Sequence, residues 1–309
     1  MKKTLAMMTA AVMVAGALAG CGSSSSTPAA TTAAATEAAT TAAATEAATT
    51  KTATTEAAGD TAAAAEGTVK TPSGKFTVGF DQEFPPMGFV GDDGQFTGFD
   101  LDLAKEVASR LGLEFVPQPI NWDAKDMELD SGNIDCIWNG FTMQGREDAY
   151  TWVGPYMANN QVFVVTADSD IASKADLAGK AVEVQKDSSG LAALQGEAEL
   201  SASFGSMTEV ADYNTALMDL ESGACDAVCM DSIVAGYQIK SSGKDMKILD
   251  DTLSAEEYGI GFKKGNEELR DQVQDTLFEM YRDGTFDEIA AKYTDYTLPD
   301  MICLGDYVK

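Results

Sequence analysis

One twelve-residue phrase occurs twice in this chain. Residues 129–140 read LDSGNIDCIWNG and residues 220–231 read LESGACDAVCMD, 91 positions apart in register. Each has Leu, an acid, Ser and Gly, then two spacers, an Asp and an apolar run that ends at Gly140 or Asp231. Leu-x-Ser-Gly is a helix ending, because glycine accepts the left-handed backbone that terminates a helix. The apolar run that follows lacks clean alternation, which marks a strand buried on both faces. A helix that hands over to a buried strand is half of a parallel βαβ unit. A chain that writes the unit twice is therefore asked to build two α/β halves. In open α/β sheets, ligands bind beyond the carboxyl ends of strands. Gly140 and Asp231 occupy those ends, so both are candidates for one cleft between the halves.

The surrounding sequence fits this scheme. KFTVGF (75–80) is a short strand, which FPPMGFV breaks with two prolines. DLDLAKEVASRLG (100–112) predicts a helix with Asp100 as its cap, Leu101, Ala104, Val107, Ala108 and Leu111 on one face, and Gly112 as its stop. EFVPQPI follows as a strand, and 124–131 as a helix. In the second half, QVFVV (161–165) and KAVEVQ (180–185) are strands, and a helix begins at Ser188 or Ser189. EVADY reads as a strand and NTALMDLES as a helix from Asn214. EYGIGF (257–262) is a strand. A long amphipathic helix then runs from Asn266 to Asp283 with Leu269, Val273, Leu277, Met280 and Tyr281 on its apolar stripe, and TFDEIAAKY adds one more helix.

The N-terminus is a different material. Lys2 and Lys3 precede a mostly apolar stretch from Leu5 to Leu18, the layout of a secretory signal and too short to span a membrane. Leu18-Ala19-Gly20-Cys21 resembles the bacterial lipobox, which implies cleavage after residue 20 and lipidation of the Cys21 sulfur. Residues 21–71 carry the anchor and an Ala/Thr-rich tract in which TTAAATEAA (31–39) recurs unchanged at 40–48. Such a tract buries too little apolar surface to offset its ordering entropy, so it reads as a disordered tether spanning on the order of 40 Å.

Composition excludes several functions. The formal net charge is −28, and two units more negative once Lys2 and Lys3 are removed, which disfavours nucleic acid and anionic lipid heads as partners. The chain has no histidine, so it can hold neither a Ser-His-Asp triad nor a His-ligated zinc. Beyond Cys21 the cysteines are Cys136, Cys225, Cys229 and Cys303, with no CxxC pair. They read as small buried apolar residues, with a Cys136–Cys303 bridge as the alternative. No metal or cofactor is expected.

Several stretches together resemble one family, the bacterial extracellular solute-binding proteins of amino-acid ABC importers. They are VGFDQEFPPMGFVGDDGQFTGFDLDLAKEVASRLG (78–112), SGNIDCIWNGFTMQGRE (131–147), PYMANNQVFVV (155–165), DLAGKAVEVQKDSS (176–189), LESGACDAVCMD (220–231) and EEYGIGFKKGN (256–266). The resemblance implies a two-lobed periplasmic-binding-protein-like α/β fold that closes over a free amino acid. Lobe 1 would comprise 72–159 plus 260–309 and lobe 2 would comprise 162–257, with crossovers near Asn159–Val162 and Glu257–Ile260. It also implies a monomer, lipid-anchored on the extracytoplasmic face of the membrane, that delivers its ligand to separate ABC permease subunits.

A zwitterion in a dry cleft needs its carboxylate and its ammonium paired, because unpaired buried charge is costly. The resemblance assigns the carboxylate to Arg146, the Thr142 hydroxyl and the backbone amides at Ser188 and Ser189, where a helix begins. It assigns the ammonium to Asp231 and the Gly140 carbonyl. Phe84 and Trp122 match positions that stack on the ligand, and Asp81 a position that reads its side chain. Two departures stand out: Gly140 and Arg146 are six positions apart where many relatives have seven, and Asp187-Ser188 replaces a Gly-Thr, which adds a negative charge beside the proposed carboxylate. Each residue also has a plainer reading. Arg146 could pair with Glu147 or Asp148, Asp231 and Ser188 could be helix caps, Phe84 and Trp122 could be core, and Asp81 could be solvated. A dehydratase-like enzyme on the same scaffold, with Glu83 or Asp81 as its acid, and a sensory binding subunit are the competing functions. Binding without catalysis is the favoured one.

Overall fold

The computed structural model describes residues 71, 73–296 and 298–308. The expected signal segment, Cys21 and the expected tether up to residue 70 lie outside the described residues. The chain starts with β1 (Lys75–Phe80) and a small hairpin of β2 (Glu83–Phe84), β3 (Gly88–Val90) and β4 (Phe96–Thr97). Next come α1 (Phe99–Arg110), β5 (Glu114–Pro119), α2 (Lys125–Ser131) and β6 (Cys136–Thr142). A 17-residue strand, β7 (Tyr150–Thr166), leads to β8 (Ala181–Gln185), α3 (Ser189–Gly196), α4 (Ala198–Ser203) and β9 (Ser206–Val210). The chain continues with α5 (Tyr213–Ser222), β10 (Ala227–Asp231), α6 (Ser232–Ser242), β11 (Met246–Ile248) and β12 (Ser254–Lys263). It closes with α7 (Glu267–Asp283), α8 (Thr285–Ala290) and short 3-10 turns.

The main sheet has the order β5-β1-β6-β12-β7-β10-β8-β9, with β11 against β7. β5-β1-β6 and β10-β8-β9 are parallel sets, one in each half. Between them β7 and β12 run antiparallel to each other, from Ser254 opposite Gln161 to Lys263 opposite Tyr150, with a register shift between Tyr258 and Ile260. These two strands pass from one half to the other. Among the described residues no helix is long and apolar enough to cross a membrane.

The repeated phrase does the same work in both places. Gly132 and Gly223 end α2 and α5 with matching left-handed geometry, φ 77° and ψ 20°. The Gly132 amide donates to the Leu129 carbonyl and the Gly223 amide to the Leu220 carbonyl, each at 3.2 Å, and the Asn133 and Ala224 amides reach back to Glu128 and Asp219. The Asp of each phrase then clamps the neighbouring parallel strand. Asp135 Oδ2 accepts from the Thr77 amide at 2.7 Å, and Asp226 Oδ2 from the Ala181 amide at 2.8 Å. Each Asp amide returns a bond to the same partner residue. β6 and β10 are buried along their whole length and both abut the crossing strands.

Several local readings are corrected. Asp100 does not cap α1: the helix starts one residue earlier, at Phe99, and Asp100 lies fully buried inside its first turn. EVADY is a strand only to Val210, because Asp212 caps α5 by accepting from the Thr215 amide. The helix after Ser188 breaks into two at Glu197. PYMANN and QVFVV form one continuous strand. Cys136 and Cys303 are free thiols, so that bridge is not made. At the C-terminal end, Phe99 packs edge-on against both Phe286 and Tyr293, each at 5.7 Å, which seats α8 and the turn after it on α1.

Candidate functional site

The carboxyl ends of β6, β8 and β10 and the start of α3 face one small cavity. It is lined by Phe84, Trp122, Gly140, Thr142, Arg146, Ser188, Ser189 and Asp231, with Gln185 as the one further lining residue. Eight of the nine ligand residues expected from the sequence thus meet in a single space. Asp81, the ninth, lies just outside: its Oδ2 accepts from Gln185 Nε2 at 2.8 Å, and it lines a larger cavity next door. It is 6% exposed rather than solvated, and burial lifts its carboxyl to about 6 against the pull of the Glu83 amide and Gln185.

Asp231 is not a helix cap. It stands at the cap position of α6, but its side chain makes no capping bond. Its Oδ1 accepts from Asn159 Nδ2 at 2.7 Å and the Tyr258 hydroxyl at 2.6 Å, and its Oδ2 accepts from the Tyr213 hydroxyl at 2.9 Å. The end of α6 is served instead by Asn159 Oδ1, which accepts from the Ser232 hydroxyl and the Ile233 amide. Arg146 has no carboxylate partner among the described residues. Its guanidinium lies 5.1 Å from the Phe141 ring and donates to the carbonyls of Thr142 and Asp187 at 3.2 and 3.3 Å. The shorter loop therefore still delivers Arg146 to the cavity wall. Ser188 does cap α3, its hydroxyl accepting from the Leu191 amide at 3.1 Å, while its own amide makes a long bond of 3.4 Å to the Gln185 carbonyl.

The extra charge at Asp187 is offset by Lys125. This lysine is 2% exposed, its Nζ pairs with the Asp187 carboxylate, and it sits 5.1 Å from the Trp122 ring. Asp187 is also the one described non-glycine residue with positive φ, at 56°. Its carbonyl accepts from Trp122 Nε1 at 3.2 Å as well as from Arg146, so three side chains of the first half converge on one residue of the second.

Behind Thr142 lies a carboxyl that sequence reasoning missed. Glu256, on β12, is 6% exposed. Its Oε1 lies 2.8 Å from the Thr142 hydroxyl and accepts from Asn159 Nδ2 at 2.7 Å and Gln161 Nε2 at 2.9 Å. Asn159 thus bridges Glu256 and Asp231 with its two amide protons. Burial first, and the nearby Asp231 second, raise the Glu256 carboxyl to about 7. On the other side, Asp100 positions Gly140: its Oδ2 accepts the Gly140 amide at 2.6 Å, while the Tyr156 hydroxyl donates to the same carboxyl. Gly140 has φ 55°, and a Cβ there would come within 2.8 Å of the Phe84 ring, so glycine is required on both grounds. Complete burial raises Asp100 to about 7.

Comparison with known proteins identifies the family and the fold. The family model for bacterial extracellular solute-binding proteins, family 3, matches residues 76–296. The L-cystine-binding protein TcyJ of Escherichia coli K12 is 31% identical over 226 residues, covering 71% of this chain and 82% of that protein. A substrate-binding protein of an ABC uptake transporter from Streptococcus pneumoniae, solved with bound histidine, superposes with a TM-score of 0.69 at 33% identity, covering 72% of this chain and 92% of that one. An ancestral arginine-binding protein bound to arginine gives 0.67 at 36% identity, over 71% and 97% of the two chains. This chain belongs to the bacterial extracellular solute-binding proteins of family 3.

Proposed function

We propose that this protein is the extracytoplasmic, lipid-anchored binding component of an ABC importer for a polar amino acid, and that it performs no catalysis. The observation that carries the reading is the convergence of an unpaired cationic side chain, Arg146, and a buried acid, Asp231, from opposite halves onto one cavity. A zwitterion fits between them, its carboxylate toward Arg146, Thr142 and the start of α3, its ammonium toward Asp231 and the Gly140 carbonyl. Lobe 1 as 72–159 plus 260–309 and lobe 2 as 162–257 would close about the β7 and β12 crossovers. Phe84 and Trp122 would flank the ligand.

The side chain would point toward the larger cavity, whose walls carry Asp81, Glu83, Asp123, Glu128, Glu209 and Asp212 against the single lysine Lys186, itself paired with Asp123. That excess of acid favours a polar or cationic side chain. Relatives named for cystine, histidine and arginine agree with such a class. A thermal-shift panel of the common amino acids tests it. A true ligand at about a hundred times its Kd should stabilise the protein by about 2.7 kcal/mol, a rise of several degrees. Stabilisation by leucine, isoleucine or valine alone would sink the polar assignment. For the anchor, Cys21→Ser should release the protein from the membrane fraction or stall its processing, and unchanged retention of that variant would rule lipidation out.

A further inference from the structure

We propose that Glu256 is a positioning residue of the ligand site, and that the protein captures ligand with Glu256 neutral, so that binding takes up a proton. The inference rests on the reading of Thr142 and Arg146 as the carboxylate end of the site.

The geometry sets up a competition for one hydrogen. Thr142 has a single hydroxyl proton, and its Oγ1 stands 2.8 Å from Glu256 Oε1 and 3.1 Å from Ser189 Oγ. While Glu256 is a carboxylate, it holds that proton, and Thr142 turns only lone pairs to an arriving ligand carboxylate. A neutral Glu256 claims the proton far less strongly, which frees the hydroxyl to donate to the ligand. The place for the proton is already available. Every hydrogen bond Glu256 accepts goes to Oε1, whereas Oε2 has no donor among the described residues. A proton taken from solvent onto Oε2 costs no hydrogen bond, and the amides of Asn159 and Gln161 still serve Oε1. Glu256 lines a third cavity, bounded by Arg146, Asp187, Ser189 and Ala192, through which the proton can enter.

The charged and titratable neighbours agree. On β10, Asp231 and Cys229 face Glu256; Tyr258 on its own strand and Tyr213 on α5 lie beyond Asp231. Across the cavity are Arg146, whose guanidinium is occupied by two carbonyls, and Asp187, whose charge is matched by Lys125. Among the described residues no cation bonds to Glu256. A ligand carboxylate held by Thr142 adds a further negative charge within a few ångströms, which favours the neutral acid.

The sign follows from linkage. If the neutral form binds, affinity is flat below the free protein's midpoint near 7 and falls with rising pH above it, by about tenfold between pH 6 and pH 8. Calorimetry of the full mature chain with L-arginine and L-glutamine tests this, with E256Q as the control for any loss of the probes' own α-ammonium proton toward pH 8. Wild type should bind about tenfold more weakly at pH 8 than at pH 6, and should take up close to one proton at pH 8 when two buffers of different ionisation enthalpy are compared. E256Q keeps the Oε1 acceptor and mimics the neutral form. It should bind with the acid-side affinity at both pH values and take up no proton. A wild-type slope that persists in E256Q overturns the proposal, as does a flat wild type, or an E256Q that fails to bind at either pH. Failure of these probes and of every other polar amino acid in the thermal-shift panel to bind wild type would instead remove the polar-ligand reading on which the proposal stands.

Discussion

Asp231→Ala and Arg146→Ala are each expected to weaken ligand binding by about 2–5 kcal/mol, which is roughly 30- to several-thousand-fold in Kd. The size comes from burial. Asp231 is enclosed by Asn159, Tyr213 and Tyr258, and a ligand ammonium brought beside it would lose that anionic partner in the variant. Arg146 reaches the same cavity from the other half, where among the described residues its guanidinium donates to two carbonyls. The two effects should not add, since loss of either charge removes the reason for the halves to stay closed on the ligand. Scattering should show wild type compacting when ligand is added and both variants failing to do so. Asp231→Ala also strands three buried donors, so Asp231→Asn serves as its companion: it retains an acceptor for the tyrosines but no charge. Both apo proteins should remain folded by circular dichroism. An Asp231→Asn protein that binds and closes like wild type would reduce Asp231 to a structural acceptor and remove the ammonium site from that position.

What the sequence disclosed and what it withheld divide along a physical line. Features set by short-range backbone chemistry were legible: the Leu-x-Ser-Gly stops, whose glycines share one left-handed geometry, and the buried runs after them. Gly140 and Asp231 were legible as strand ends for the same reason, whereas the other residues that line the cavity were placed only through the resemblance to a family. Residues that act through tertiary contacts were not. Lys125 begins an ordinary exposed-looking helix turn, and nothing near it in sequence announces Asp187, 62 positions away. Glu256 sits in a strand between Ala255 and Glu257 with no local partner, and its donors come from β6 and β7. Asp100 was misread for a related reason. An acid at the head of a helix resembles a cap, and only the fold reveals that Gly140, 40 residues on, supplies its amide.

That same residue yields the largest expected effect on stability. Asp100 is completely buried, and its carboxyl is raised from 3.8 to about 7, with burial the leading cause and the Gly140 amide and Tyr156 hydroxyl opposing it. A carboxyl raised on folding prefers the protonated native state. Its stabilising contribution is therefore fully present below the unfolded value near 4 and is lost as pH rises through about 7. About three units correspond to about 4 kcal/mol between those limits. Wild type as a whole should gain stability in mild acid for other reasons too, because Asp81 and Glu256 are raised as well and the −28 surface repels itself less. The diagnostic quantity is accordingly the gap between wild type and Asp100→Asn, measured without ligand by denaturant titration at pH 4.5, 6 and 8. Asparagine can accept the Gly140 amide through its oxygen but has no proton to gain. The gap should widen in favour of wild type by several kcal/mol as pH falls from 8 to 4.5. A gap that stays constant would mean that Asp100 keeps an ordinary carboxyl in the fold, and that Gly140 is held in place by Phe84 and its own backbone conformation rather than by a proton-carrying acid beneath it.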